Sequence, residues 1–377
     1  MNLKKLLITV AKIIGSLAIV GCLFYLAVNT DEKRAAFLKL VKQQKEWDFL
    51  IGGVLVLLLA VVITLVRWWY LVRALGIDFS LRDALRIGFL GYLFNLAPAG
   101  IVGGDVLKAW ILAREKPGNR AKAFTSVIVD RIVGLYVLFL VASAGVFVSG
   151  LWYYADTFIH WICVFVLIAT TVSTIGISMI LVPGFLEGSL VGAIVRIPKV
   201  GHAIGSLLDA IKIYRSKRLV LFLTSLATIP VHSLLTVSIY LLALGLGFGQ
   251  VPFRDYWAIY PVSGIASTIP LNAGPAEAGI MLFYQTSVLQ LPEASGPKKA
   301  AAGSKKELKE AAWQEGLILA LVYRFSTLLI APIGAAYYFL GGRSEVKDVL
   351  HEAEEEDDEG EGTARMLAMH RGKKKRN

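Results

Sequence analysis

Apolar positions along this chain come in long blocks rather than in the short stripes of a soluble fold. Stretches free of Asp, Glu, Lys and Arg recur at 13–30, 49–66, 87–104, 132–155, 157–186, 219–253, 256–276, 278–292 and 325–342. A hydrocarbon layer about 30 Å thick is crossed by roughly 20 apolar helical residues, and a helix satisfies its own amides there. The pattern predicts about six spans, near 6–28, 49–70, 123–149, 157–182, 219–247 and 316–341.

Two blocks do not read as simple spans. The first ends Asn95-Leu-Ala-Pro98-Ala-Gly100-Ile-Val-Gly103-Gly104, and the centre of 256–292 reads Pro270-Leu-Asn272-Ala-Gly274-Pro275-Ala-Glu277. Proline and glycine at that density break a helix. Each block therefore predicts a re-entrant pair of half-helices, about 87–97 with 104–115 and about 256–269 with 276–291. Irregular backbone at membrane depth survives only beside protein or a water-filled cavity, so each break marks a candidate cavity wall.

The two breaks resemble each other. Pro98 precedes Asp105 by seven residues and Pro270 precedes Glu277 by seven. Each pair is followed by a span with an arginine near its start. Asp105 to Arg131 is 26 positions; Glu277 to Arg324 is 47, which becomes about 26 once a polar insert of about 21 residues near 293–313 is set aside. The first unit, about 87–149, enters from inside and the second, about 256–341, from outside. They are expected to be inverted copies, an arrangement common in alternating-access transporters.

Composition agrees with a membrane protein: 56% of the 377 residues are hydrophobic, 18% are charged, and mean hydropathy is +0.63. The net charge of +11 is uneven. Residues 343–377 carry 8 Lys or Arg against 10 Asp or Glu, so the preceding 342 residues carry 31 against 18. Those basic residues cluster at the ends of apolar runs, where anionic lipid and the insertion machinery read them. That position argues against nucleic acid as a partner. The basic-residue rule puts both termini inside, with Lys4, Lys5 and Lys12 before a retained first span. It also puts Arg67, Arg73, Arg82 and Arg86 in one inside loop, and Lys108, Arg114, Lys116, Arg120 and Lys122 in another. Residues 29–48 form a mixed-charge connection. Residues 183–218 form an inside elbow whose Leu207, Leu208, Ile211 and Tyr214 recur at the spacing of an interfacial helix. The membrane domain is expected over 1–342, with a charged, disordered tail at 343–377.

A charge within a span costs about 2.5–3.5 kcal/mol or more on insertion scales, so Arg131 and Arg324 need a compensating environment. One reading turns each guanidinium to a cavity, where its planar fork suits a phosphate; the other lets each snorkel to its nearer interface. Asp130 either pairs with another segment or lies near the surface. Asp105 and Glu277 open half-helices, where a carboxylate either caps orphan amides or serves transport by carrying protons or touching a headgroup. Gly100, Gly103, Gly104 and Gly274 let backbone approach an anion closely. Asn95 and Asn272 sit at the breaks as further polar candidates. His160, His202, His232, His351 and His370 have no metal-ligand spacing, and no nucleophile elbow, phosphate loop or paired-cysteine motif occurs, so no cofactor is expected.

The run Pro98-Ala-Gly-Ile-Val-Gly103-Gly104-Asp105-Val-Leu-Lys108, followed by Val129-Asp130-Arg131-Ile-Val-Gly134, resembles the membrane region of the lysylphosphatidylglycerol synthase family, also called flippase-like membrane proteins. The segment Asn272-Ala-Gly274-Pro275-Ala-Glu277 is similar to that family's glycine-rich element, but no basic residue precedes the glutamate. The resemblance implies an all-α polytopic membrane protein, expected in the bacterial inner membrane. Members with synthase activity carry a soluble aminoacyl-transferase domain after the membrane region, and only about 35 residues follow here, so aminoacyl transfer is not expected. The leading expectation is a flippase or transporter for an anionic phospholipid or polyprenyl-phosphate headgroup, not an enzyme. Its candidate substrate-binding residues are Arg131, Arg324, Asp105, Glu277, Asp130, Asn95, Asn272, Gly103 and Gly104. The alternatives are a membrane-embedded enzyme, which a metal on Asp105 or Glu277 would favour, and a non-transporting partner in envelope biosynthesis. Oligomerisation is left open.

Overall fold

The computed structural model describes residues 28–96, 103–154, 157–181, 212–269, 273–291 and 305–343, together with Ala18, Gly21, Cys22, Phe24, Tyr25, Leu271 and Val346. Among them there is no strand. The helices are α1 Asp31–Lys42, α2 Trp47–Ala74, α3 Leu81–Leu96, α4 Gly104–Glu115, α5 Arg120–Ser149 and α6 Leu151–Tyr154. They continue as α7 Thr157–Leu181, α8 Arg218–Gly245, α9 Phe253–Ala266, α10 Pro275–Gln290, α11 Lys305–Leu328 and α12 Ala331–Tyr337, the last running into a π-helical turn at Tyr338–Gly342.

Five helical stretches are long and apolar enough to cross a membrane: Trp47–Ala74, Arg120–Ser149, Thr157–Met179, Arg218–Gly245 and Lys305–Leu340. They coincide with five of the six expected spans; the first, near 6–28, lies mostly outside the described residues. The outer surface fits lipid rather than water. On α7, Phe158, Trp161, Phe165, Ile168, Val172 and Ile175 are all exposed, at alternating three- and four-residue steps that form one continuous apolar stripe. Such a stripe is too large for the surface of a soluble monomer. The opposite face of α7 buries Ile159, Cys163 and Val166.

Two buried apolar clusters fill the interior. One gathers the end of α2, α3, α4 and the start of α5 around Trp68, Phe79, Ile87 and Leu107. The other gathers the end of α5, the end of α8, α9, α10 and the start of α11 around Phe248, Tyr256, Tyr284 and Leu319. Helix α5 passes through both. The packing between the halves is reciprocal: α5 lies along α9, and α12 lies along α3. Glycines set both approaches. A Cβ on Gly145 would lie 1.8 Å from the Trp257 carbonyl oxygen, and one on Gly334 would lie 2.3 Å from that of Phe89. Trp257 falls 20 residues before Glu277 and Gly145 14 after Arg131, while Phe89 falls 16 before Asp105 and Gly334 10 after Arg324. Each partner moves by the same four residues, so both contacts share one antiparallel register.

Several expectations are corrected. Arg67 is not in a loop: α2 continues to Ala74 and buries it. Lys108 is likewise buried on α4. The segment 29–48 contains helix α1, which Thr30 caps by accepting from the Lys33 amide (3.3 Å), with Asp31 and Glu32 in the first turn and Lys39 and Lys42 in the last. The insert at 293–313 is helical from Lys305, where α11 begins. In the elbow, Tyr214 does not lie in the interface; it is buried, and its hydroxyl donates to the Leu71 carbonyl (2.9 Å). Leu207, Leu208 and Ile211 are outside the described residues.

Candidate functional site

Two adjoining cavities open where the broken segments meet the spans. The smaller, about 340 Å³, is lined by Asn95, Arg131, Ser267, Thr268, Glu277 and Arg324 among others. The larger, about 620 Å³, is lined by Asn95, Asp105, Lys108, Asp130, Arg131, Ser267, Thr268 and residues of α2 and α8. Asn95, Arg131, Ser267 and Thr268 belong to both, so the two volumes meet at Arg131.

The larger cavity is lined in matching positions from the two halves. Gly88, Tyr92, Asn95 and Leu96 on α3 stand 17, 13, 10 and 9 residues before Asp105; Tyr260, Gly264, Ser267 and Thr268, on and just after α9, stand at the same distances before Glu277. That spacing is one face of a helix. The small residues 14 before each acid perform the same local task. A Cβ on Gly91 would lie 2.8 Å from the Gly104 carbonyl oxygen, and one on Gly279 would lie 2.8 Å from the Ser263 hydroxyl. At both places the helix pair closes only because small residues meet.

The charges sort into three groups. Asp105 on α4 is held by Lys108 Nζ (2.8 Å) and by the Arg131 guanidinium. Lys108 also lies 5.2 Å above the centre of the Trp68 ring, a cation–π contact that helps offset its burial. Two cations share one carboxylate, so this group is left with one positive charge. The Arg131 side chain is 63% exposed and lines both cavities.

On the second side, Glu277 caps its own helix. Its Oε2 accepts from the Gly274 amide (2.7 Å), with Gly274 at φ 112° before Pro275 in the first turn of α10. Such a φ suits glycine alone among common residues. Its Oε1 lies 3.7 Å from Arg324 Nε. Glu277 therefore both caps and faces the arginine, whereas Asp105 is committed to two side-chain cations.

The third group is buried behind Arg131. Arg67 Nε donates to Asp130 Oδ1 (2.9 Å), its Nη2 donates to the Asp130 carbonyl (3.3 Å), and its Nη1 donates to the Thr228 hydroxyl (2.7 Å). Arg67 and Asp130 are 6% and 4% exposed, so the pair joins α2, α5 and α8 in the interior. Asp130 is thus a partner of another segment, not a surface charge. His232 on α8 lines the larger cavity with Nε2 3.2 Å from the Gly134 carbonyl and Nδ1 without a partner among the described residues.

Of the residues expected from sequence, Arg131, Arg324, Glu277 and Asn95 line one cavity, and Asp105 and Asp130 line its neighbour. Gly103 is exposed and Gly104 is packed against Gly91; neither is among the lining of these two cavities. Asn272, Gly100, Pro98 and Pro270 lie outside the described residues. Arg67, Lys108, His232, Ser267 and Thr268 join the site without having been expected there. Ser267 could have been found from its distance before Glu277, which equals that of Asn95 before Asp105. Among the described residues no three His, Cys, Asp or Glu side chains gather.

These features define an integral membrane protein, all-helical, whose spanning helices surround a charged internal cavity. The lysylphosphatidylglycerol synthase TM region family matches residues 12–289, and the chain belongs to that family. It is similar to a UPF0104 membrane protein of Methanocaldococcus jannaschii, at 22% identity over 309 residues, covering 76% of this chain and 87% of that one. No solved structure gives a significant match.

Proposed function

We propose that this protein is a lipid flippase or lipid transporter that moves an anionic phospholipid or polyprenyl-phosphate headgroup between leaflets. The observation that carries the reading is that guanidinium groups from two different spans, Arg131 on α5 and Arg324 on α11, line one cavity. Each is held by a carboxylate from the half-helix preceding its span. Membership in a family named for lysylphosphatidylglycerol synthase supports a role in lipid biosynthesis or transport.

In this reading the carboxylates stand in for the substrate. A phosphate offers more charge and more acceptor oxygens than a carboxylate, and a planar guanidinium binds it through two parallel bonds. Asp105 can yield Arg131 to a phosphate because Lys108 still neutralises it. Glu277 can yield Arg324 because the Gly274 amide still holds it. The exchange leaves no carboxylate bare, so the headgroup binds without a large desolvation cost and leaves by the reverse steps. Matching linings and reciprocal α5–α9 and α12–α3 packing support an inverted repeat of about 87–149 and 256–341, with α3–α4 and α9–α10 as re-entrant pairs. Rocking of one unit against the other would open the cavity to each side in turn. Both termini are assigned to the inside, in a bacterial inner membrane.

The test is leaflet translocation of a fluorescent phosphatidylglycerol in reconstituted vesicles. Wild-type protein accelerates loss of outer-leaflet label; the Arg131→Ala/Arg324→Ala variant falls to the protein-free rate. Equal rates for the two proteins refute the assignment.

A further inference from the structure

A third cavity, about 380 Å³, lies away from the charged centre where α1, the second half of α10 and the start of α11 meet. Its lining includes Lys33, Lys306 and Lys309, against Glu310 as its acidic residue. Lys33 reaches that carboxylate at 4.0 Å. Lys306 and Lys309 are exposed and have no ion pair among the described residues. Two elements are pinned here by buried amides: Gln314 Nε2 donates to the Lys33 carbonyl (2.9 Å) and Gln285 Nε2 to the Lys309 carbonyl (2.8 Å). The lysines therefore stand on a fixed frame. Trp313 forms part of the wall, and its buried indole N–H has no acceptor among the described residues.

The depth of this cavity identifies its ligand. Lys309 precedes Arg324 by fifteen residues on α11, about 22 Å along the helix axis. Helix α11 is polar through Glu315 and apolar from Gly316, so the lysines stand where the span leaves the hydrocarbon. That is the level of lipid phosphates, where tryptophan places its ring toward the chains and its N–H toward water. We propose that the Lys33–Lys306–Lys309–Trp313 cavity binds the phosphate of an anionic membrane lipid. The lysines neutralise the phosphate, the Trp313 N–H donates to it, and the indole ring lies against the glycerol and first methylenes. This site stands apart from Arg131 and Arg324 and does not depend on the transport reading.

Purified full-length protein in a neutral detergent, carrying Arg131→Gln/Arg324→Gln so that the central cavity contributes no binding, is titrated calorimetrically with short-chain phosphatidylglycerol, short-chain phosphatidylcholine and inorganic phosphate. Phosphatidylglycerol is expected to bind measurably, and adding Lys306→Gln/Lys309→Gln to weaken it about thirty-fold, at about fivefold per lysine near a membrane surface. Lys306→Arg/Lys309→Arg restores binding and so controls for folding. Unchanged phosphatidylglycerol affinity after the glutamine substitutions overturns the proposal. Equal affinity for phosphatidylcholine, or inorganic phosphate binding as tightly as the lipid, overturns the assignment to an anionic lipid.

Discussion

The buried Arg67–Asp130 pair gives the sharpest stability prediction. Asp130→Asn keeps the side-chain shape but leaves the Arg67 guanidinium charged among α2, α5 and α8, with Thr228 as its remaining side-chain partner. Breaking a buried pair by neutralising one member costs about 3–5 kcal/mol, because the other charge stays desolvated. Arg67→Met should cost a similar amount by stranding the Asp130 carboxylate. The double variant Arg67→Met/Asp130→Asn strands neither charge, and replacing a buried pair with uncharged groups is often close to neutral. Thr228 also keeps a partner, since its hydroxyl donates to the Thr224 carbonyl (2.6 Å). The double variant should therefore be more stable than either single variant, with a coupling of about 2 kcal/mol or more between the two positions. Thermal unfolding of the detergent-solubilised proteins, followed by size-exclusion chromatography, reads this cycle. The reasoning fails if either single substitution leaves the midpoint unchanged, or if the double variant shows the sum of the two losses.

Two further outcomes follow from the geometry. Gly145→Leu and Gly334→Leu should each destabilise by about 1–3 kcal/mol in the same thermal assay, because backbone of the facing helix occupies the space of the first side-chain carbon. Gly103→Leu, where nothing lies within 4 Å of an added Cβ, should not. Asp105→Asn should leave Lys108 and Arg131 without their shared carboxylate, so the cavity should bind an anionic headgroup more tightly and release it more slowly. Translocation assays should show slower turnover with higher apparent affinity; faster turnover would contradict the exchange of carboxylate for phosphate.

The spans are legible because apolar run length is a local property, whereas 29–48 reads as a mixed-charge connection although the caps of α1 are local too. Thr30 before Asp31 and Glu32, with lysines at the far end, carries a complete helix signature. Arg67 was not legible as a buried residue. Its partner Asp130 is 63 positions away, and a basic residue near the end of an apolar run reads as an interface charge. Only the apolar and aromatic sequence on both sides of Arg67, running on through Val72, pointed to continued helix. Lys108 misled for the same reason, since the Trp68 ring that covers it comes from another helix. The start of α11 is hidden in the sequence because its lysines read as part of the polar insert. Yet Lys, Glu, Leu and Ala in Lys305–Leu328 are strong helix formers, and the opposite charges of Lys306 and Glu310 fall four apart. At the site, the equal spacing of Pro98 to Asp105 and Pro270 to Glu277 brought both arginines into view. What each acid does there required coordinates, because capping and ion pairing use the same carboxylate.

The account rests on Arg131 and Arg324 facing one cavity. Its most direct measurement is cross-linking of Arg131→Cys and Arg324→Cys in a chain whose Cys22 and Cys163 are replaced by serine. The two thiols should be joined by a bifunctional reagent about 10 Å long, the scale of a pocket for a small headgroup. Joining by such a reagent, with each single-cysteine chain open to a water-soluble thiol label, is the predicted result. Failure to join, with each thiol labelled only from its own side of the membrane, would contradict the shared cavity.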